Sequence, residues 1–127
     1  MRVSIKTIPH KKQKYPTAGD YGVKGDRWNI RVSEMSDWRR EVLVGIHELA
    51  ELAWVRHMGI SIDLVTEFDL KFEKERAEGK HSPEDEPGDD PRCPYKAGHN
   101  TATIIEELLA GVLDVNWEEH SKEIVNL

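Results

Sequence analysis

Apolar and polar residues alternate in three stretches of the first 33 residues, which is the pattern of strands with one buried face. The stretches are residues 3–8, 20–23 and 27–33, and Pro9 ends the first of them. Lys24-Gly25-Asp26 is a turn signal between the second and the third stretch, so we predict a β-hairpin there. The N-terminal part of the chain is therefore expected to form a small sheet.

After residue 33 the apolar residues recur every three or four positions, and this spacing predicts helices. The predicted helices are residues 37–58, 63–77 and 97–113, followed by a short last helix that Asn116 and Glu119 cap. The first helix is apolar nearly all round, which predicts that it is the buried central helix. In the third helix we expect the buried stripe to consist of Ile105, Leu108, Leu109 and Val112.

Residues 78–94 lie between the second and third predicted helices and contain prolines, glycines and acidic residues, so we predict a long loop. The whole chain, residues 1–127, is interpreted as one domain with a β-rich part at 1–33 and a helical part at 34–127. The predicted fold class is α+β, with a small antiparallel sheet of about three strands packed on a four-helix bundle.

Charge and composition narrow the class of protein. The formal net charge of -6 at pH 7 argues against a general nucleic-acid-binding domain. Cys93 is the only cysteine, which excludes an internal disulfide and a zinc site built from cysteines. No apolar run approaches the roughly 18 residues of a membrane span, and the N-terminus lacks the apolar core of a secretory signal. We therefore expect a cytoplasmic protein without a membrane partner, while the sequence leaves the oligomeric state open.

The central helix carries the sequence His47-Glu48-Leu49-Ala50-Glu51 among its apolar residues. His47 and Glu51 are four positions apart and share a helix face, so both can reach one ion. Imidazole nitrogen and carboxylate oxygen are both ligands of zinc. We predict that His47 and Glu51 bind a divalent metal ion and that Glu48 acts as the general base. A simple buried hydrogen bond between His47 and Glu51 is the structural alternative.

A metal site needs at least a third ligand, and the third helix supplies the best candidate. His99 is favoured because a neutral imidazole adds no negative charge to the site, which leaves Glu106 to orient an imidazole or to serve as a spare ligand. Glu106 and Asp69 are the other residues that could complete the site. Basic residues surround Asp69 and Glu73, so a solvated ion-pair face is the favoured interpretation of that pair. No specific role is predicted for the histidines in polar surroundings, which are His10, His81 and His120. We expect the long loop to lie beside the metal site as a rim or a lid, and a disordered acidic surface loop is the alternative.

The pattern His47-Glu48-x-x-Glu51 resembles the His-Glu-x-x-His helix of zincin metallopeptidases, with Glu51 in the place of the second histidine. The resemblance implies a zincin-like bundle, zinc as the metal, a peptide or small-molecule substrate, and Glu48 as the catalytic base. A wider set of segments is similar to a group of short phage and prophage proteins without an assigned activity, which implies the cytoplasm of a host cell. These segments are Thr17–Tyr21, Ile30–Ser33, His47–Glu51, Glu86–Pro91, Pro94-Tyr95 and His99.

Two other functions fit the same residues. The first is a magnesium-dependent nucleotide pyrophosphohydrolase, in which Glu48 and Glu51 together with Glu107 or Asp114 would hold magnesium against phosphates. The second is a phage binding or inhibitory protein, in which the metal is structural or the pocket holds a ligand without turnover, and whose partner is a host protein or ligand. The metal-dependent hydrolase is the preferred function.

Overall fold

The computed structural model describes all residues 1–127 and has the predicted α+β class, with three strands and four helices. Its elements are β1 Arg2–Ile8, β2 Gly19–Lys24, β3 Arg27–Ser33, α1 Trp38–His57, α2 Ile62–Ala77, α3 Lys96–Val112 and α4 Trp117–Val125. Short 3-10 turns occur at His10–Lys12 and Pro87–Asp89. Asp37, Ser61 and Asn116 cap the N-termini of α1, α2 and α4 with their side chains.

The sheet has the strand order β1-β3-β2. As predicted, β2 and β3 form an antiparallel hairpin, and Gly25 takes the positive φ of +63° that its turn requires. The predicted all-antiparallel sheet is wrong, because β1 pairs with β3 in parallel, with Ile5 opposite Ile30. Residues 9–18 are too many for a tight turn. They lead the chain to the far edge of the sheet, where β2 forms, and β3 then pairs between β1 and β2.

Helix α1 is the central element, as its nearly continuous apolar surface predicted. It packs on β2 and β3 on one side and along α3 on the other. Gly45 of α1 permits the close approach of Ile5, whose Cγ2 would lie 2.9 Å from a Cβ at this position. The main core contains Tyr21, Ile30, Val32, Val44, Leu52, Val55, Val65, Cys93 and Tyr95. No helix combines the length and the apolar character that crossing a membrane would require.

The orientation of α3 differs from the prediction. Leu108 and Val112 are each 71% exposed and Ile105 is also exposed, while Leu109 is half-buried. The buried face of α3 consists instead of Gly98, His99, Ala102, Glu106 and Ala110. Small residues allow α3 to approach α1 closely, and polar residues of α3 meet polar residues of α1. The interface between α1 and α3 is thus partly polar. Helix α3 therefore buries the face opposite to the one that hydrophobicity alone predicts.

The loop between α2 and α3 is fixed to both helices. The Arg76 guanidinium donates hydrogen bonds to the carbonyl groups of Ser82 and Asp85. Arg92 forms ion pairs with Glu75 of α2 and with Asp90 in the loop. These contacts hold the 3-10 turn Pro87–Asp89 against α2 and α3. The expectation that the loop lies beside the predicted site is confirmed, since this turn contacts His99.

Candidate metal centre

His47 and Glu51 lie one turn apart on the buried face of α1 and are only 8% and 5% exposed. Helix α3 packs along this face and brings His99, 8% exposed, to the same point. Nε2 of His47 lies 3.2 Å from Nδ1 of His99 and 3.4 Å from Oε2 of Glu51. The distance from Nδ1 of His99 to Oε2 of Glu51 is 3.1 Å. Three potential ligand atoms therefore form a small triangle.

The size of this triangle fits a metal ion. Ligands about 2.0–2.2 Å from a tetrahedral zinc ion lie about 3.3–3.6 Å from one another. The three measured separations of 3.1, 3.2 and 3.4 Å are close to these values. The predicted convergence of His47, Glu51 and His99 is found in the structure. Glu106 and Asp69, the other candidates for the third position, do not belong to this triangle.

Glu106 lies behind His47 and orients its ring. Its Oε2 is 2.7 Å from Nδ1 of His47, and its Oε1 is 2.7 Å from Nε2 of His120. His120 lies on α4, is fully buried, and has no partner for its Nδ1 atom. The prediction that His120 has no specific role is therefore wrong. The available signal was helical spacing, because Trp117, His120 and Ile124 form one stripe of α4 that packs inward.

Glu51 divides its two oxygen atoms between the triangle and the sheet. Oε2 belongs to the triangle, whereas Oε1 accepts a hydrogen bond of 2.9 Å from the hydroxyl group of Tyr21. Tyr21 is buried in β2 opposite Ile30, so the sheet fixes the direction of this carboxylate. No local sequence pattern indicates this partner, because the contact joins residues 30 positions apart.

Burial and the neighbouring charges shift the pKa values of the triangle. Burial alone would lower the pKa of both imidazoles, but the carboxylates that contact them have the larger combined effect. The pKa of His47 lies well above its ordinary value because of Glu106 and Glu51, and that of His99 rises to about 9 because of Glu51 and Glu86. Burial would raise the pKa of Glu51, but the two imidazoles lower it. In the absence of metal, the surrounding carboxylates thus favour the protonated form of both imidazoles.

Glu48 lies beside the triangle and has a different environment. Its side chain packs against Gly19 of β2, where an added Cβ would lie 2.6 Å from the Glu48 Cγ atom. Burial and the negative charges of Glu51, Asp20 and Asp69 raise the pKa of Glu48 well above its ordinary value, although His47 opposes this effect. Glu48 is therefore a carboxyl group with a strong tendency to hold a proton. It lines the same cavity as the three triangle residues.

The loop covers the other edge of the His99 ring. Oε2 of Glu86 lies 3.0 Å from Nε2 of His99, and Oδ1 of Asp89 lies 3.7 Å from it. Gly88 is buried against the ring, and a Cβ at this position would lie 2.2 Å from the His99 Cγ atom. Each nitrogen atom of the His99 ring therefore has a carboxylate partner, Glu51 of α1 at Nδ1 and Glu86 of the loop at Nε2.

Asp69 forms a separate buried cluster. Its carboxylate accepts hydrogen bonds from the hydroxyl groups of Tyr15, at 2.7 Å, and Tyr95. The solvated face predicted for this residue is wrong, since Asp69 is only 6% exposed, and burial raises its pKa to about 6. Glu73, one turn later, forms the predicted kind of ion pair, with Arg76. The two tyrosines come from distant parts of the chain, so helical spacing could not reveal them.

A cavity of about 280 Å³ opens beside the triangle. Nine carboxylate residues line it, whereas Arg76 is its only arginine and no lysine contributes. The carboxylates are Asp20, Glu48, Glu51, Asp69, Glu73, Glu84, Asp85, Glu86 and Glu106. Comparison of the chain with models of protein families, with curated proteins and with solved structures finds no match.

Proposed function

We propose that the protein is a metal-dependent hydrolase of zincin-like type, in which His47, Glu51 and His99 bind a divalent ion, with zinc as the first choice. The single observation that carries this proposal is the convergence of three ligand atoms in the protein interior, 3.1 to 3.4 Å apart. Two histidines and a glutamate are a ligand set of zinc hydrolases, and this set leaves a fourth position for water or substrate.

The hydrogen-bond partners support a cation at this point. Because Nδ1 of His47 faces the Glu106 carboxylate, the neutral ring carries its proton there and directs the lone pair of Nε2 toward the triangle. Oε2 of Glu51 is also an acceptor, and its second oxygen already accepts from Tyr21. Acceptors that face one another in a buried site repel unless a proton or a metal ion lies between them. The donor chemistry therefore fits a divalent ion.

The adjacent residues support hydrolysis. A divalent ion held by this ligand set would polarise a bound carbonyl group and lower the pKa of a coordinated water toward about 7. Glu48 is the group that would take the proton, since its raised pKa brings it closer to the pH at which proton transfer is efficient. Glu106 would hold His47 in position while His120 holds Glu106. The cavity provides room for a peptide or another small substrate.

The magnesium-dependent nucleotide hydrolase receives no support from the geometry. Glu107 and Asp114, its additional candidate ligands, are exposed and do not line the cavity. A binding or inhibitory protein with a structural ion would use the same ligands without turnover, so we treat it as an outcome of the test.

Metal analysis and two substitutions test the proposal. Protein dialysed against zinc and then against metal-free buffer should retain one ion per chain, measured by elemental analysis. His47→Ala should lose the ion, whereas Glu48→Gln should retain it and lose hydrolysis of a quenched-fluorescence peptide library. His57→Ala, in an exposed residue of the same helix, is the matched control and should change neither property.

Each result has a distinct meaning. Zinc retained with no hydrolysis of any library member by the wild-type protein would support a structural ion instead of an enzyme. Equal loss of zinc in His47→Ala and Glu48→Gln would make Glu48 a ligand and would contradict the roles proposed here. A wild-type protein that retains no divalent ion would reject the metal site itself.

A further inference from the structure

The ring of His99 presents two nitrogen atoms to two different carboxylates. Nδ1 lies 3.1 Å from Oε2 of Glu51 inside the triangle, and Nε2 lies 3.0 Å from Oε2 of Glu86 on the loop. A neutral imidazole has one N–H donor and one lone pair, and the partner of one nitrogen decides the state of the other. The residue that contacts Nε2 therefore controls what Nδ1 offers to the triangle.

We propose that Glu86 is a positioning residue that keeps the proton of His99 on Nε2 and thereby leaves the Nδ1 lone pair for the metal ion. This inference rests on the proposed metal site. Glu86 acts on His99 as Glu106 acts on His47, so each histidine of the triangle has its own outer carboxylate. The difference is that Glu106 belongs to a helix and is buried, whereas Glu86 belongs to the loop and is exposed.

The loop is built to hold Glu86 at this place. Gly88, two residues later, is buried against the His99 ring, and no other residue fits there because a Cβ would lie 2.2 Å from the ring. Lys96 of α3 donates a hydrogen bond to the carbonyl oxygen of Asp89, and Arg76 of α2 binds the carbonyl of Asp85. The carbonyl of Glu86 itself accepts from the backbone N–H of Asp89 at 3.1 Å. Both neighbouring helices thus fix the segment that carries the carboxylate.

The arrangement makes the loop part of the metal site without making it a ligand. By thermodynamic linkage, a loop that increases metal affinity must itself be stabilised when metal binds. Trypsin can report on this effect, since Lys80 begins the loop and Arg92 lies near its end. Saturation with zinc should slow cleavage at these two positions in the wild-type protein, and this protection should weaken when Glu86 is replaced.

Three variants and zinc as the probe test the assignment. Glu86→Ala should lower the zinc affinity of the full chain by about 10- to 100-fold, the usual effect of losing an outer partner of a metal-binding histidine. Glu86→Gln keeps an oxygen acceptor for the Nε2 proton and should recover part of this loss. Asp89→Asn is the matched control, because Asp89 lies in the same turn but 3.7 Å from Nε2, and its affinity should equal that of wild type.

A spectroscopic measurement separates positioning from general stability. Long-range ¹H–¹⁵N spectra of the zinc-bound protein should show His99 coordinated through Nδ1 and protonated at Nε2. In zinc-bound Glu86→Ala the Nε2 proton loses its acceptor, so it should exchange with water faster than in the wild type, while the backbone amides of α1 and α3 should exchange at wild-type rates. A variant that only loosened the fold would speed the exchange of these backbone amides as well.

Three outcomes would overturn the assignment. They are wild-type affinity in Glu86→Ala, coordination of His99 through Nε2, and two zinc ions per chain with affinity lost equally in Glu86→Ala and Asp89→Asn. The last result would make both acids ligands of a second ion. If the wild type binds no zinc, the proposed function fails and this assignment fails with it. If the wild type binds zinc and Glu86→Ala binds it equally well, only the assignment of Glu86 is rejected.

Discussion

Two helices of this protein each carry a pair of polar residues four positions apart, but the two pairs have different environments in the fold. His47 and Glu51 on α1 stay together and meet a third acceptor, His99. Asp69 and Glu73 on α2 separate, because Asp69 accepts from the hydroxyl groups of Tyr15 and Tyr95 while Glu73 pairs with Arg76. The spacing is identical, so the residues that other elements bring to each pair determine its environment. A carboxylate that receives donors is satisfied, whereas acceptors that meet acceptors need a proton or a metal ion between them.

The substitution with the largest expected effect on zinc affinity removes His47, one member of the acceptor pair. His47→Ala should lower zinc affinity by more than the roughly 100-fold that the loss of an outer partner causes, because a direct ligand is lost. Competition with a chromophoric zinc chelator measures the affinity. An affinity within tenfold of the wild type would show that His47 is not a ligand and would remove the distinction between the two helices.

The second effect concerns pH, and its sign differs between metal-free and zinc-bound protein. The folded pKa of His99 is about 9, above the roughly 6.5 of an unfolded histidine, so protonation stabilises the metal-free fold below about pH 6.5. This stabilisation is lost as pH rises from about 6.5 to 9. Zinc requires unprotonated rings, so zinc affinity should increase over the same range, about tenfold per pH unit for each proton displaced.

The measurement for this prediction is the melting temperature at pH 6.5 and pH 8.5, with saturating zinc and with a chelator. The difference between the two conditions should be larger at pH 8.5. His47 contributes in the same direction, since its pKa is also raised. Zinc affinity that does not change with pH would mean that the rings are neutral in the metal-free protein, or that they do not bind the ion.

The third prediction examines the α2 pair. Asp69→Ala should lower the free energy of unfolding by roughly 2 kcal/mol, because the hydroxyl groups of the buried Tyr95 and the half-buried Tyr15 lose their acceptor. Glu73→Ala, one turn away, is the matched control and should cost less than about 1 kcal/mol, since it removes a single ion pair near the surface. Urea denaturation measures both. Zinc content should be unchanged in either variant, and loss of zinc in Asp69→Ala would place Asp69 in the metal site.

The smallest effect on the metal ion is expected at Gly19. A Cβ added there would lie 2.6 Å from Cγ and 2.8 Å from Cδ of Glu48, so the glutamate side chain must move. Gly19→Ala should therefore keep its zinc but hydrolyse the peptide library more slowly than wild type. The matched control is Gly22→Ala in the same strand, where an added Cβ meets no atom within 4 Å. Unchanged hydrolysis in Gly19→Ala would argue against Glu48 as the proton acceptor.

Much of the local structure followed from the sequence. The periodicity of α1 predicted a buried central helix, and the four-residue spacing placed His47 and Glu51 on one face. The hairpin followed from the turn at Gly25. These inferences succeeded because they depend on residues near one another in the chain.

The failures depend on contacts between distant residues. The parallel pairing of β1 with β3 is set by the path of residues 9–18, which alternation does not encode. The apolar stripe of α3 faces outward because the inner face meets the polar face of α1, and the rule that apolar residues lie inside assumes an apolar interior. Tyr21 and His120 were missed as partners for the same reason, since each contact spans at least 14 positions.

The separation of the site residues along the chain has a consequence for biosynthesis. A ribosome releases His47 and Glu51 long before His99, which follows Glu51 by 48 positions, and His120 emerges later still. An incomplete chain would offer a metal ion only two of the three proposed ligands. Stable metal capture should therefore wait until α3 and α4 have emerged from the ribosome and can pack on α1. Bound zinc would then mark chains that have been synthesised and folded through α4.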